Sequence, residues 1–395
     1  MSQQLISRNA DLKRLRDEGY DVSIKYDHLV IRDVPYVNSS REVKRGYMVT
    51  TLELQNDITQ TPIQDHVMMF CGDYPCDHTG ARLEKINANQ AASPGPDLPV
   101  QHRFSSKPQG GYRDYHQKVT TYINILMGPA QIINPDVKAQ TYPTIRATEE
   151  ESVFLYLDTA TSRAGITAAN LKLELAKVAI VGLGGTGSYV LDLVAKAPVK
   201  EIHLYDADRF SQHNAFRSPS AASPEELDEK LSKVAYFSRL YSKFRRGIVP
   251  HPVYVDEFNL SELQGLDFVF ISIDDGAVKR VLVNALTGFG VPFIDVGAGL
   301  RIKDDTIAGG LRVTTVTPQK SDHVEGSISF GEYKGENVYE QNIQVADLNA
   351  LNAALAVIRW KKEFGFYAEG EREHQTLYTI DGNLLANDQK LCPNS

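Results

Sequence analysis

Four glycines at 182, 184, 185 and 187, set between the apolar run KVAIV and the helix-like run TGSYVLDLVAKA, constrain this chain more than any other feature of it. A strand that ends in such a loop and turns straight into a helix brings unobstructed backbone N–H groups to the positive end of that helix, where a phosphate binds. The runs that follow keep the same rhythm: EIHLYD, PEELDEKLSKVAYFSRLYSKF, LDFVFISID, AVKRVLVNALTGFG and VPFIDVG. Strand alternating with helix implies an α/β class, a doubly wound, mainly parallel, Rossmann-like sheet, assigned here to residues 149–395.

Residues 1–148 read differently. Short β-like runs such as DVSIKYDHLVIRD and HVMMFCG, broken by clusters of Pro, Gly, Asn and Asp, predict an α+β domain rich in loops. With 395 residues and 42% apolar content the chain has material for two cores. The stretch Asn87 to Gly111 is the least structured in appearance, and a long loop inside a domain is more often functional or mobile than inert. Further on, Ser223, Pro224 and Glu226 supply an N-cap, a first-turn proline and a capping box for one long helix. GGLRVTTVTP then returns to a β period, and after the polar segment 318–341 the run IQVADLNALNAALAVIRWKKEFGF predicts an amphipathic helix.

Charge and cysteine content exclude several roles. A net charge of −8 with no basic tail or stripe argues against a nucleic-acid partner. No run approaches the ~18 apolar residues that span a bilayer, and the polar N-terminal sequence lacks a signal-peptide core, so no membrane role and a cytoplasmic location are expected. Three cysteines, Cys71, Cys76 and Cys392, are too few for a disulfide framework in a chain of this length.

About 20 residues beyond the loop, Asp206 ends the second strand, placed to accept from ribose hydroxyls. A dinucleotide-binding dehydrogenase would need no more. Here the chain continues with Asp208, Asn214 and Arg217, then Lys233, then Asp274 and Asp275 after another apolar strand. Cations and carboxamides around a nucleotide suit phosphoryl or nucleotidyl chemistry, with a carboxylate to hold Mg²⁺.

The ordered series GLGGTGS, D-x-D-x5-N-x-x-R, a lysine in the next helix and D-D after FISI resembles the ThiF/MoeB/E1 family of adenylating enzymes, over roughly 160–385. VPFIDVGAGLRI resembles that family's strand and turn after the catalytic aspartate. The resemblance implies that ATP and Mg²⁺ are used to activate the C-terminal carboxylate of a ubiquitin-like protein or peptide as an acyl-adenylate. It implies that Gly182, Gly184, Gly185 and Gly187 cradle the nucleotide, with Asp208 beside them and Asp206 on the ribose. Asn214, Arg217 and Lys233 would contact phosphates, and Asp274 would hold Mg²⁺, leaving Asp275 free to cap the next helix. It also implies a homodimer in which Arg163, in SRAGI, reaches the partner's ATP.

Two family features are missing. There is no pair of Cys-x-x-Cys motifs, so no structural zinc of that type is expected. The segment after the sheet, where thioester-forming relatives carry their cysteine, has none. The adenylate is then expected to pass directly to a partner's nucleophile, such as an E2-like acceptor, unless Cys71, Cys76 or Cys392 intervenes. Cys76 and His78 lie two residues apart, a pairing able to activate a thiol. A metal site from His66, Cys71, Cys76 and His78 matches no standard spacing.

The N-terminal part resembles a domain often fused ahead of ThiF domains in bacterial proteins, in systems with ubiquitin-like partners, some acting in phage defence. Its cluster Tyr112, Arg113, Tyr115, His116 and Lys118 suits a partner-binding face, with helix packing the plainer alternative. Other readings of the whole chain are adenylation of a precursor peptide and a non-catalytic nucleotide-binding scaffold.

Overall fold

Strand Lys177–Val181 is buried from Val178 onward and strand Phe268–Ile271 throughout. Continuous apolar runs of this kind form strands covered by helices on both faces. In this computed structural model, which describes residues 2–62, 65–88, 93–331 and 343–388, they lie side by side at the centre of an eight-stranded sheet. Its order is Ile248–His251, Glu201–Tyr205, Lys177–Val181, Phe268–Ile271, Phe293–Lys303, Thr306–Val316, Gln375–Thr379, Leu384–Asp388. The first five strands run parallel and the last three pair antiparallel. This is the doubly wound, mainly parallel sheet the alternation predicts, extended by an antiparallel arm that includes a terminal hairpin with no strong signal in the sequence.

One face of the sheet packs Val178, Ile180, Leu204 and Phe270 against helices Gly185–Val194, Lys233–Tyr241 and Ala346–Glu363, through Leu191, Phe237 and Trp360. The opposite face packs Val181, Val269 and Phe293 against helix Gly276–Phe289 through Leu282 and Leu286. Because all parallel strands point the same way, the glycine loop, the end of Glu201–Tyr205 and the end of Phe268–Ile271 meet along one rim. Ligands bind at that rim in open α/β sheets.

The long helix expected after Ser223 is two helices. Ser223 and Glu226 do form the capping box, on Pro224–Asp228, and Ser232 caps a second helix, Lys233–Tyr241. Between them Lys230 takes a φ of 51°, the Leu231 carbonyl accepts the Phe210 N–H and Arg209 pairs with Ser232. These tertiary bonds outcompete helix propagation, a weak preference of well under 1 kcal/mol per residue.

The chain divides into two compact units, 1–151 and 152–395. The first is built on a five-stranded antiparallel sheet, Asp21–Lys25, His28–Val37, Val43–Thr51, Val67–Cys71 and His102–Ser105, with helix Tyr115–Ile133 sharing its core through Val119, Tyr122 and Leu126. The stretch 87–111 therefore contains a sheet strand where a loop was expected, paired with Val67–Cys71. The aromatic and basic cluster is not a surface either. Tyr112, Tyr115, His116 and Lys118 are buried, the Lys118 ammonium donating to Thr50 and Asp65 and the Tyr115 hydroxyl accepting the Glu53 N–H. Helical spacing turned Tyr115 and Lys118 onto the sheet, and Arg113, ahead of the helix, is the one exposed member. Among the described residues no helix is long and apolar enough to cross a membrane.

Candidate active site

The four glycines serve different ends. Gly182 has a φ of 89°, which favours glycine, and a Cβ there would lie 2.4 Å from the Ser272 carbonyl oxygen. A Cβ on Gly187 would meet the Gly182 carbonyl at 1.9 Å, so this glycine lets the helix close onto the loop. One on Gly185 would meet Asn349 Nδ2 at 1.9 Å. Gly184 alone faces open space, with nothing nearer than Gln344 Oε1 at 4.0 Å. Close packing thus accounts for three of the glycines, while the fourth leaves the loop open on its side.

Asp206 is buried and braces the loop. Its Oδ2 accepts the Leu183 N–H at 2.8 Å and its Oδ1 the Asp208 N–H at 2.9 Å. Lys233, buried at the first turn of its helix, lies between two carboxylates, 2.7 Å from Asp208 Oδ2 and 3.3 Å from Asp206 Oδ2. The bonds from Lys233 and the Tyr254 hydroxyl hold the Asp208 carboxyl below the usual carboxylate range. Asn214 is buried in a one-turn helix, where its Oδ1 accepts the Ser211 N–H at 2.8 Å in a capping box.

Arg217 follows that turn. Its buried Nε has no hydrogen-bond partner among the described residues, a donor that an anion would satisfy. Its side chain lines a cavity of about 570 Å³ together with His213, Phe216, Ile302, Ile307 and Gln344. Gln344 also accepts the Gly185 N–H at 3.2 Å, so the cavity and the glycine loop share a wall. Asp274 is exposed just past strand Phe268–Ile271, two residues beyond Ser272, which touches Gly182. Asp275 caps the next helix, accepting the N–H groups of Ala277 and Val278. Arg163 is exposed at the end of the short helix Thr159–Arg163, on an element apart from the rest.

The structure thus gathers the glycine loop, Asp206, Asp208, Asn214, Arg217, Lys233 and Asp274 along one rim of the sheet. It adds Gln344 and Asn349, which the sequence reading placed only in an amphipathic helix. Two asparagines in NALNAALA, both buried, were the available signal. Among the described residues no group of three or more His, Cys, Asp or Glu side chains is placed to hold a metal, and His66, Cys71, Cys76 and His78 form no such group. Mg²⁺ in nucleotide sites is commonly held by one or two carboxylates plus the phosphates, a donor set to which Asp274 fits.

Residues 159–324 match the ThiF family model. They are a ThiF family domain. Ahead of the ThiF domain, residues 10–159 match a domain of unknown function, DUF6791. No curated protein matches the chain. Among solved structures it is similar to E. coli MccB with MccA-N7isoASN, at 19% identity over 60% of this chain and 71% of that one, TM-score 0.46. E. coli MccB with ATP shows 20% identity over 59% and 68%, TM-score 0.44, and PaaA 16% over 56% and 75%, TM-score 0.44. Through its ThiF domain the chain is an adenylyltransferase-like, nucleotide-binding enzyme.

Proposed function

We propose that the ThiF domain uses ATP to activate the C-terminal carboxylate of a ubiquitin-like protein, as in ubiquitin-type conjugation. The observation that carries this reading is the wall shared by the cavity and the glycine loop. A polypeptide tail entering between Phe216, Ile302 and Ile307 would end at Arg217 and Gln344, beside the open side of Gly184. The apolar flanks would hold side chains of the tail.

In the proposed reaction a carboxylate oxygen bonds to the α-phosphorus of ATP, the bond to the β-phosphate oxygen breaks, and pyrophosphate leaves. Lys233 and Arg217 would supply positive charge against the phosphates, and Asp206 Oδ1 has one lone pair left for a ribose hydroxyl beyond the Asp208 N–H. Mg²⁺, held by Asp274, would neutralise charge on the departing pyrophosphate. Arg163 would act from the partner subunit of a homodimer. Mixing Arg163→Ala with Asp274→Asn subunits is then expected to restore one working site per mixed dimer.

A simple test separates this reading from a dehydrogenase. A ligand specific for the folded state raises the melting temperature. ATP with Mg²⁺ should stabilise the full chain and NAD should not; stabilisation by NAD alone would overturn the proposal.

A further inference from the structure

We propose that Asn349 is a positioning residue for Arg217, an inference that rests on the nucleotide-site reading above. Asn349 is buried in the first turn of helix Ala346–Glu363, and both ends of its carboxamide are used. Nδ2 donates to the Arg217 carbonyl at 3.1 Å, and Oδ1 accepts the Thr186 hydroxyl at 3.3 Å. Thr186 lies in the first turn of the glycine-loop helix, and Gly185 beside it lacks a side chain exactly where Asn349 fits, since a Cβ there would collide at 1.9 Å. One side chain thus ties the glycine loop to the segment that carries Arg217.

That segment needs such a tie. Its own helix, Gln212–Ala215, is a single turn, and the Arg217 N–H donates to the nearby Asn214 carbonyl at 3.1 Å. Helix Ala346–Glu363, by contrast, is fixed by Ala353, Ala356 and Trp360 in the sheet core. Asn349 transfers that rigidity to Arg217, whose buried Nε has no partner among the described residues at the cavity wall. A long cationic side chain is only as well placed as its backbone, and a shift of ~1 Å at a catalytic site can cost a hundredfold. Asn349 touches neither nucleotide nor substrate in this account; it acts through Arg217.

The test uses binding to the full-length chain, with ATP and adenosine as probes, because adenosine lacks the phosphates that Arg217 would hold. Asn349→Leu keeps side-chain bulk and removes both hydrogen bonds; it should weaken ATP about tenfold and leave adenosine unchanged. In an Arg217→Ala background the same substitution should change ATP affinity no further. Equal losses for ATP and adenosine, or losses that multiply in the double variant, would overturn the inference. If Asn349→Leu does not fold, as judged by its melting transition, Asn349→Ser is read by the same criteria. Wild-type ATP affinity in Arg217→Ala alone would instead count against the nucleotide-site reading itself.

Discussion

The carboxylate of Asp206 accepts the backbone N–H of Leu183 at 2.8 Å, so the end of one strand clamps the first turn of the glycine loop that follows its neighbour. The same oxygen lies 3.3 Å from the buried Lys233 ammonium. Asp206→Ala should therefore lower stability by about 3 kcal/mol, through an unsatisfied N–H and a buried cation left with one partner. Urea unfolding of the full chain measures this. Wild-type stability in the variant would show that the clamp contributes nothing.

The role of Asp206 as a clamp shows what could be read in advance and what could not. The parallel sheet, the glycine loop and the order of polar residues were legible because each is a local pattern: apolar runs of strand length, glycines at a strand-to-helix turn, caps at fixed offsets. Which glycine faces open space was not, because that depends on Ser272 and Asn349, some 90 and 160 residues away in sequence. The break at Lys230 was not legible for the same reason, and for Tyr115 and Lys118 the sequence left a partner-binding face and helix packing both open. Tertiary hydrogen bonds decided the first, and a helix face turned onto a sheet decided the second.

Acid should weaken the Lys233–Asp208 pair in a defined direction. The bond from Lys233 holds the folded carboxyl of Asp208 below its unfolded value of about 3.9. Its stabilising contribution is thus complete above that value and is lost as pH falls through the lower, folded one. Melting temperatures of wild type and Asp208→Asn should differ at pH 7 and converge below about pH 4. The gap should be small, since the Asp208 side chain is half exposed. A gap that widens in acid would contradict the assignment.

The thiols make a covalent intermediate on the N-terminal unit unfavourable. Cys76 is buried, its Sγ lies 3.3 Å from the Tyr74 carbonyl, and burial pushes its thiol pKa up, which leaves little thiolate at neutral pH. Cys71 is half-buried on a strand, and Cys392 lies outside the described residues. Iodoacetamide should modify Cys71 before Cys76. No thiol-sensitive adduct should accumulate when the enzyme meets ATP and its carboxylate substrate. An adduct on a non-reducing gel that disappears in Cys71→Ala, Cys76→Ala or Cys392→Ala would overturn this and identify the nucleophile.

Carboxylate-dependent exchange of radiolabelled pyrophosphate into ATP reads adenylation itself, because only a reversible adenylation returns the label to ATP. The wild-type chain should exchange when supplied with a ubiquitin-like protein bearing the right free C-terminus. Asp274→Asn should lose that exchange while keeping the wild-type melting temperature, since Asp274 is exposed and Asp275 still caps the helix. Full exchange by Asp274→Asn would contradict the account.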